Sequence, residues 1–279
     1  MPWIPRGLRN GIVTTRYPRA PDGYGATFHA TIEVRSHRAS RASDAVVAAC
    51  PTGAITVEDG VTRLDRGKCV LCGRCVDLEP QTFRFSPNFE ISELDRVALV
   101  VPDGDGNSAD IADVRAQLSR RVKSLRRSIH VRHVDAGSDG SDEWEVAALT
   151  NPVYDVQRLG IYFTASPRHA DVLLVSGAGA LGMSDALRHT YDVMPDPKVV
   201  IATGVEAISG GLVAGGYATH DGVSSDVPVD VYVPGSPATP FGLLYGILMA
   251  VDLLGRFEGR RMTGPPFVGD VGLPSGDLQ

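Results

Sequence analysis

Residues 172–183 read Val-Leu-Leu-Val-Ser-Gly-Ala-Gly-Ala-Leu-Gly-Met, and this stretch decides the fold. Its first five positions are almost continuously apolar and rich in branched side chains, the pattern of a strand covered on both faces. A loop of small residues follows. Three further runs, at 129–134, 199–203 and 229–233, repeat the apolar β-branched pattern, with helical periodicity between them. Alternating buried strands and helices predict an α/β fold with a parallel sheet, whose functional edge is made of the loops after the carboxyl ends of the strands. Those loops are 135–143, 177–183, 204–211 and 234–240, each rich in glycine or other small residues.

Toward the N-terminus the character changes. Residues 102–110, Pro-Asp-Gly-Asp-Gly-Asn-Ser-Ala-Asp, read as a polar linker. Ahead of it, short β-prone runs at 30–34 and 54–57 alternate with turns and cysteine segments, which suits a small α+β module. With 279 residues the chain is long enough for two cores. The expected division is 1–101 for the small module, 102–126 for a linker and helix, and 127–279 for the α/β domain.

The composition, 43% hydrophobic and 22% charged, is that of an ordinary globular protein. Segment 1–10 has basic residues but no apolar run after them, so no secretory signal is expected and the cytoplasm is the expected compartment. The greasiest stretch, 241–255, is interrupted by Asp252 and too short to span a bilayer, which leaves peripheral membrane contact or contact through partners. A net charge of −6 argues against nucleic acid as the main partner. Basic residues do gather locally: Arg6, Arg9, Arg16 and Arg19, and later Arg115, Arg120, Arg121, Lys123, Arg126, Arg127 and Arg132, the second group reading as a solvated helix face. Segment 204–211 lacks both a dinucleotide fingerprint and a phosphate-loop lysine, so no nucleotide is expected.

The four cysteines, Cys50, Cys69, Cys72 and Cys75, are crowded into the first third of the chain. In a cytoplasmic protein such crowding points to metal ligation, because disulfides rarely persist there and two-residue gaps are too tight for a disulfide framework. An internal repeat supports this. Aligning 40–51 with 69–80 sets Ser40, Ser43, Val46 and Cys50 opposite Cys69, Cys72, Cys75 and Glu79, with the proline shared. In two-cluster bacterial ferredoxins each half supplies three closely spaced cysteines and a Cys-Pro cysteine that serves the other half's cluster. On that pattern Cys69, Cys72, Cys75 and Cys50 complete one 4Fe-4S site. The twin would need Ser40, Ser43, Val46 and Glu79, and valine cannot ligate iron. A structural zinc site is the competing expectation, although zinc more often uses two paired Cys-x-x-Cys knuckles than a triplet.

Thr14-Thr15-Arg16-Tyr17-Pro18 and Cys50-Pro51-Thr52-Gly53-Ala54-Ile55 resemble segments of the ferredoxin-like iron–sulfur subunits of complex I and of membrane-bound nickel–iron hydrogenases. The resemblance implies a ferredoxin-like α+β domain with one 4Fe-4S cluster, lying near membrane subunits. The later region, from about residue 127 to about 254, resembles the small subunit of group 4 hydrogenases, of the formate hydrogenlyase type, and its B-type counterpart in complex I. It does so through Asn151-Pro152-Val153-Tyr154-Asp155, Arg158-Leu159-Gly160-Ile161, Ser166-Pro167-Arg168-His169-Ala170-Asp171 and the run 227–235. This implies a flavodoxin-like domain, a large-subunit partner and a second, proximal cluster. The sequence departs from that family at the ligands. Where hydrogenase relatives carry two cysteines, Gly137-Ser138-Asp139-Gly140-Ser141-Asp142 carries Asp139 and Asp142; the other two ligand positions fall on Glu206 and Ser236. These four are expected to form either a polar cluster filling the vacated cavity or a set of oxygen ligands for Mg²⁺, Ca²⁺ or Mn²⁺. If close together, the carboxylates raise one another's pKa values, which would suit proton handling. His130, His133 and His169 have no cysteine companions at ligand spacing and are expected to pack or to touch partners.

The expectation is therefore an electron-transfer subunit, without bond chemistry of its own, of a membrane-associated oxidoreductase complex. The competing one is an assembly or scaffold subunit whose cluster is structural and whose carboxylate loops bind a partner or a hard cation.

Overall fold

A computed structural model describes residues 3–20, 28–35, 41–102, 108–125 and 128–254. Ser40 of the repeat and Arg126 and Arg127 of the basic run lie outside the described residues. Helix α1 (Trp3–Asn10) comes first, then β1 (Thr31–Val34), α2 (Asp44–Ala49), β2 (Ile55–Glu58), β3 (Val61–Asp65), α3 (Arg74–Leu78), β4 (Phe83–Ser86) and β5 (Val100–Val101). Two small antiparallel sheets result, β1 with β4, and β2-β3-β5. Asp59 and Gly60 join β2 to β3, and both adopt the left-handed backbone that a two-residue hairpin of matching twist demands. Ile32, Val46, Leu64 and Phe83 form the core between these elements.

The rest of the described chain is α4 (Ser108–Arg121), β6 (Ile129–Asp135), α5 (Ser141–Ala148), β7 (Ile161–Phe163), β8 (Val172–Ser176), α6 (Ser184–Asp192), β9 (Val199–Thr203), α7 (Gly204–Ser209), β10 (Val231–Val233) and α8 (Pro240–Ala250). Strands pair in parallel in the order β7-β6-β8-β9-β10. Counted along this sheet alone the order is 2-1-3-4-5, that of flavodoxin-like folds, with the topological reversal between β6 and β8. Every residue of β8 and β9 is buried, so the continuous apolar runs are explained by cover on both faces. Alternate side chains of β8 feed two cores: Val172 and Leu174 join one with α8, Leu173 and Val175 the other with α6.

Helix α8 accounts for the greasiest stretch. Thr239 caps it, accepting the Gly242 N–H at 3.1 Å; Pro240 opens it, and apolar residues on all sides are buried in the core. Among the described residues no helix is long and apolar enough to cross a membrane.

Three sequence expectations differ from the structure. The segment 204–211 is mostly helix α7 rather than a loop, and the linker expected at 102–110 already turns helical at Ser108. Strand β7 is absent from the sequence expectations, because three residues are too few to show a period. The first hundred residues are also stitched to the α/β part. Tyr17 and Leu94 sit in the α8 core and Leu99 in the opposite one. The Thr15 N–H donates to the Val153 carbonyl at 2.7 Å, and Glu93 exchanges two backbone hydrogen bonds with Tyr232 of β10.

Candidate functional site

Cys50 ends α2, and the segment from Cys69 to Cys75 leads from β3 into α3. Between the ligand positions the chain coils tightly, with Leu71 and Gly73 both in the left-handed region. Glycine is required at 73 twice over, because a Cβ there would also meet the Phe85 ring at 3.0 Å. Thr52 Oγ1 donates to the Lys68 carbonyl at 2.6 Å and so ties the Cys50 turn to the Cys69 segment. The result brings all four cysteines to one small pocket, walled by Ile32, Val46 and Leu64. Cys75 is buried, Cys50 and Cys69 are half-buried, and Cys72 is exposed.

The electrostatics of the pocket suit a bound cationic centre. Burial pushes the Cys69 thiol up to about 12 and the Cys75 thiol to about 11, and the neighbouring cysteines add to both shifts. Four thiolates could not coexist there uncompensated, whereas bound iron would hold them deprotonated. Backbone amides already face sulfur: the Ala54 N–H reaches Cys50 Sγ at 3.2 Å, and backbone N–H groups of Leu71 and Val76 hold down Cys69 and Cys75.

Across the pseudo-repeat, the described twin positions do structural work. Ser43 caps α2 by accepting the Val46 N–H, its own N–H donates to Glu79 at 2.9 Å, and Val46 fills the core. That hydrogen bonding holds the Glu79 carboxyl below its usual range.

The acidic positions gather at the carboxyl edge of the parallel sheet. Asp142, only 4% exposed, opens α5; its Oδ1 accepts the Ala238 N–H at 3.0 Å, and its Oδ2 lies where a side chain on Gly204 would begin. Burial raises its pKa to about 7, with Glu143, Glu206 and Asp139 adding repulsion. Glu206, half-buried on α7, is raised by burial and by Asp139. Asp139 is exposed and is lowered by hydrogen bonds from Ser141. Ser236 is half-buried, two residues before Ala238 in the loop that Asp142 pins. The structure thus brings the three carboxylates into mutual electrostatic reach. Among the described residues, no three His, Cys, Asp or Glu side chains are grouped to hold a metal ion.

Sequence reading missed a neighbouring network at the β6/β8 reversal. Ser176 Oγ contacts His133 Nε2 at 2.9 Å and donates to Glu143, whose other oxygen accepts from Ser138 at 2.7 Å. Burial lowers the His133 pKa, against the pull of Glu143 and Asp135. The only sequence signal was the polar end of a strand otherwise apolar. His130, 40% exposed, lies beside Asp171 and stacks on Tyr162.

Comparison with known proteins places this architecture. Residues 140–250 match the family described as NADH ubiquinone oxidoreductase, 20 Kd subunit. The chain is 33% identical over 150 residues to the probable membrane-bound hydrogenase subunit mbhJ of Pyrococcus furiosus, covering 54% of this chain and 90% of that protein. The chain belongs to this NADH ubiquinone oxidoreductase 20 Kd subunit family. A second relative, formate hydrogenlyase subunit 7 of Escherichia coli, is 41% identical over 144 residues, 52% of this chain and 55% of that protein, so the chain spans about half of that relative. A looser superposition, at a TM-score of 0.41 and 28% identity, covers 50% of this chain and 75% of a chain from the membrane-bound sulfane sulfur reductase, an archaeal respiratory membrane complex. The family match starts at residue 140, so the cysteine pocket lies outside the matched segment.

Proposed function

We propose that this chain is an electron-transfer subunit of a membrane-associated oxidoreductase complex, in which a ferredoxin-like part is fused to the 20 Kd-type domain. Cys50, Cys69, Cys72 and Cys75 would hold one 4Fe-4S cluster, which supplies one-electron transfer when bound. The observation that carries this reading is the convergence of every cysteine in the chain on one pocket. Sulfur-facing amides and thiols too buried to ionise alone support it. A cubane gives each sulfur its own iron, so the four sulfurs need not meet at a single ion as zinc would require.

In this reading Asp139, Asp142, Glu206 and Ser236 occupy a proximal-cluster site that has lost its thiolates. Asp142 then serves as a cross-link between α5 and the 236–238 loop rather than as a ligand. The carboxyl edge of the parallel sheet would dock a hydrogenase-like or complex I-like large subunit, and the assembly would sit on the cytoplasmic face of the membrane through its membrane subunits. The interrupted cluster path makes ordinary hydrogenase turnover through this chain unexpected.

The test is iron and sulfide analysis of the purified chain with EPR after reduction. About four irons per chain and one reduced-cluster signal are expected. Cys75→Ser should abolish that signal. Stoichiometric zinc without sulfide, or an iron content untouched in Cys75→Ser, would overturn the assignment.

A further inference from the structure

An open cleft in the small module is lined from both of its antiparallel sheets, and its charged residues are Arg35, Arg66, Arg84 and Glu33. Strand pairing brings them together. Glu33 of β1 stands opposite Arg84 of β4, and the alternation of an extended chain sets Arg35 on the same side as Glu33. The Arg35 N–H prolongs that ladder by donating to the Thr82 carbonyl at 2.8 Å. Arg66 follows β3, where its N–H donates to the Leu99 carbonyl at 3.0 Å.

The charges of this cleft do not close among themselves. Arg84 donates to Glu33 Oε2 through Nε at 2.9 Å and Nη2 at 2.6 Å, and the Ser86 hydroxyl donates to Oε1 at 2.6 Å, so the carboxylate is already committed. Arg66 is half-buried, and its Nε has neither solvent nor a hydrogen-bond partner. Glu93 and Glu33 are in electrostatic reach of it, and burial still lowers its pKa from the usual arginine range. Among the described residues, no side chain forms a hydrogen bond or ion pair with Arg66 or with the exposed Arg35. Holding a guanidinium away from water without a counter-charge is a cost that a bound anion would offset.

The shape of the excess charge selects the anion. Guanidinium forks match oxyanions, and two of them without partners call for more acceptor atoms than a single carboxylate supplies. A phosphoryl group offers three such oxygens and a charge of about −2. Val34, Val101 and Pro102 give the cleft an apolar wall as well, which suits an organic body attached to that group.

We propose that the cleft binds a small phosphomonoester, with Arg66 and Arg35 gripping the phosphoryl group and the apolar wall holding its organic part. The cleft shares no lining residue with the cysteine pocket, so either assignment can fail without the other.

The full-length chain, in a phosphate-free buffer, is titrated in a calorimeter with phenyl phosphate, inorganic phosphate and succinate. Expected are one phenyl phosphate per chain, bound more tightly than inorganic phosphate and less tightly as salt rises, with succinate weaker than either. Arg66→Gln should lower the affinity by about tenfold and Arg35→Gln by about fivefold. Arg168→Gln, exposed and outside the cleft, should leave it unchanged. Phenyl phosphate should also raise the thermal midpoint of the parent but not that of Arg66→Gln, which loses an unpaired charge and should be no less stable than the parent. Absence of binding, which would leave an acidic side chain of a partner subunit as the counter-charge, affinity unaltered in both cleft variants, or succinate bound more tightly than phenyl phosphate would each overturn the proposal.

Discussion

Asp142 is a carboxylate held where water scarcely reaches it, and its behaviour with pH follows. An ordinary aspartate loses its proton near 3.8, whereas burial delays this one to about 7. Between those values the folded chain holds a proton that the unfolded chain has released, so stability falls as pH rises from about 4 to about 7 and is level beyond. Glu206, Glu145 and Glu93 are raised in the same direction and His133 acts in the opposite sense, so the single group is isolated by comparison with Asp142→Asn. That variant keeps the oxygen that accepts the Ala238 N–H. It should be more stable than the parent at pH 8, by roughly 4 kcal/mol at most, and equal to it near pH 4. Guanidinium unfolding of both proteins across this range checks it; parallel pH profiles would refute it. The position of Asp142 was legible from its motif. Its contacts with Ala238 and Gly204 were not, because they join segments far apart in the chain.

At the scale of elements, Ser43 and Glu79 together fasten the start of α2. Ser43→Ala removes the cap of α2 and should cost about 1 kcal/mol in thermal or chemical unfolding. Iron content should stay at that of the parent, since Ser43 belongs to the twin set and not to the four thiols, although it shares α2 with Cys50; a loss of iron would mean that the two sets of positions are wrongly assigned. Elements with both faces covered were the readable ones, and β8 and β9 fall on the residues that their apolar runs mark. Helix α7 was misread because it is only six residues long, starting on Gly204 and stopped by Gly210, and six residues give less than two turns of periodicity. The four cysteines could be placed at one site from the two-cluster ferredoxin pattern, whereas the Ser176–Glu143 pair could not, its members belonging to different strands and helices.

At the scale of the whole molecule, the small module keeps a core of its own but also sends side chains into both cores of the α/β part. Tyr17, Leu94 and Leu99 come from the first hundred residues yet are buried among α/β side chains. The linker region contributes too, since Leu118 and Val122 pack with α8. Unfolding in guanidinium should therefore show one transition, with loss of iron absorbance and of far-ultraviolet dichroism at the same midpoint. Two midpoints separated by more than their widths would instead mean that the halves fold independently. A polar linker in sequence marks where the chain is cheap to bend, not where packing stops, and this is why the boundary was visible and the shared core was not.

The exchange between Glu93 and Tyr232 carries one more consequence. Strand β10 is the last of the five, and a terminal strand offers spare amides and carbonyls to any passing polypeptide, the usual opening for fibrillar self-association. Glu93 takes up that offer from within the same molecule, with bonds of 3.0 and 2.8 Å. A single short stretch thus acts as a stopper, keeping the sheet from recruiting strangers along that side.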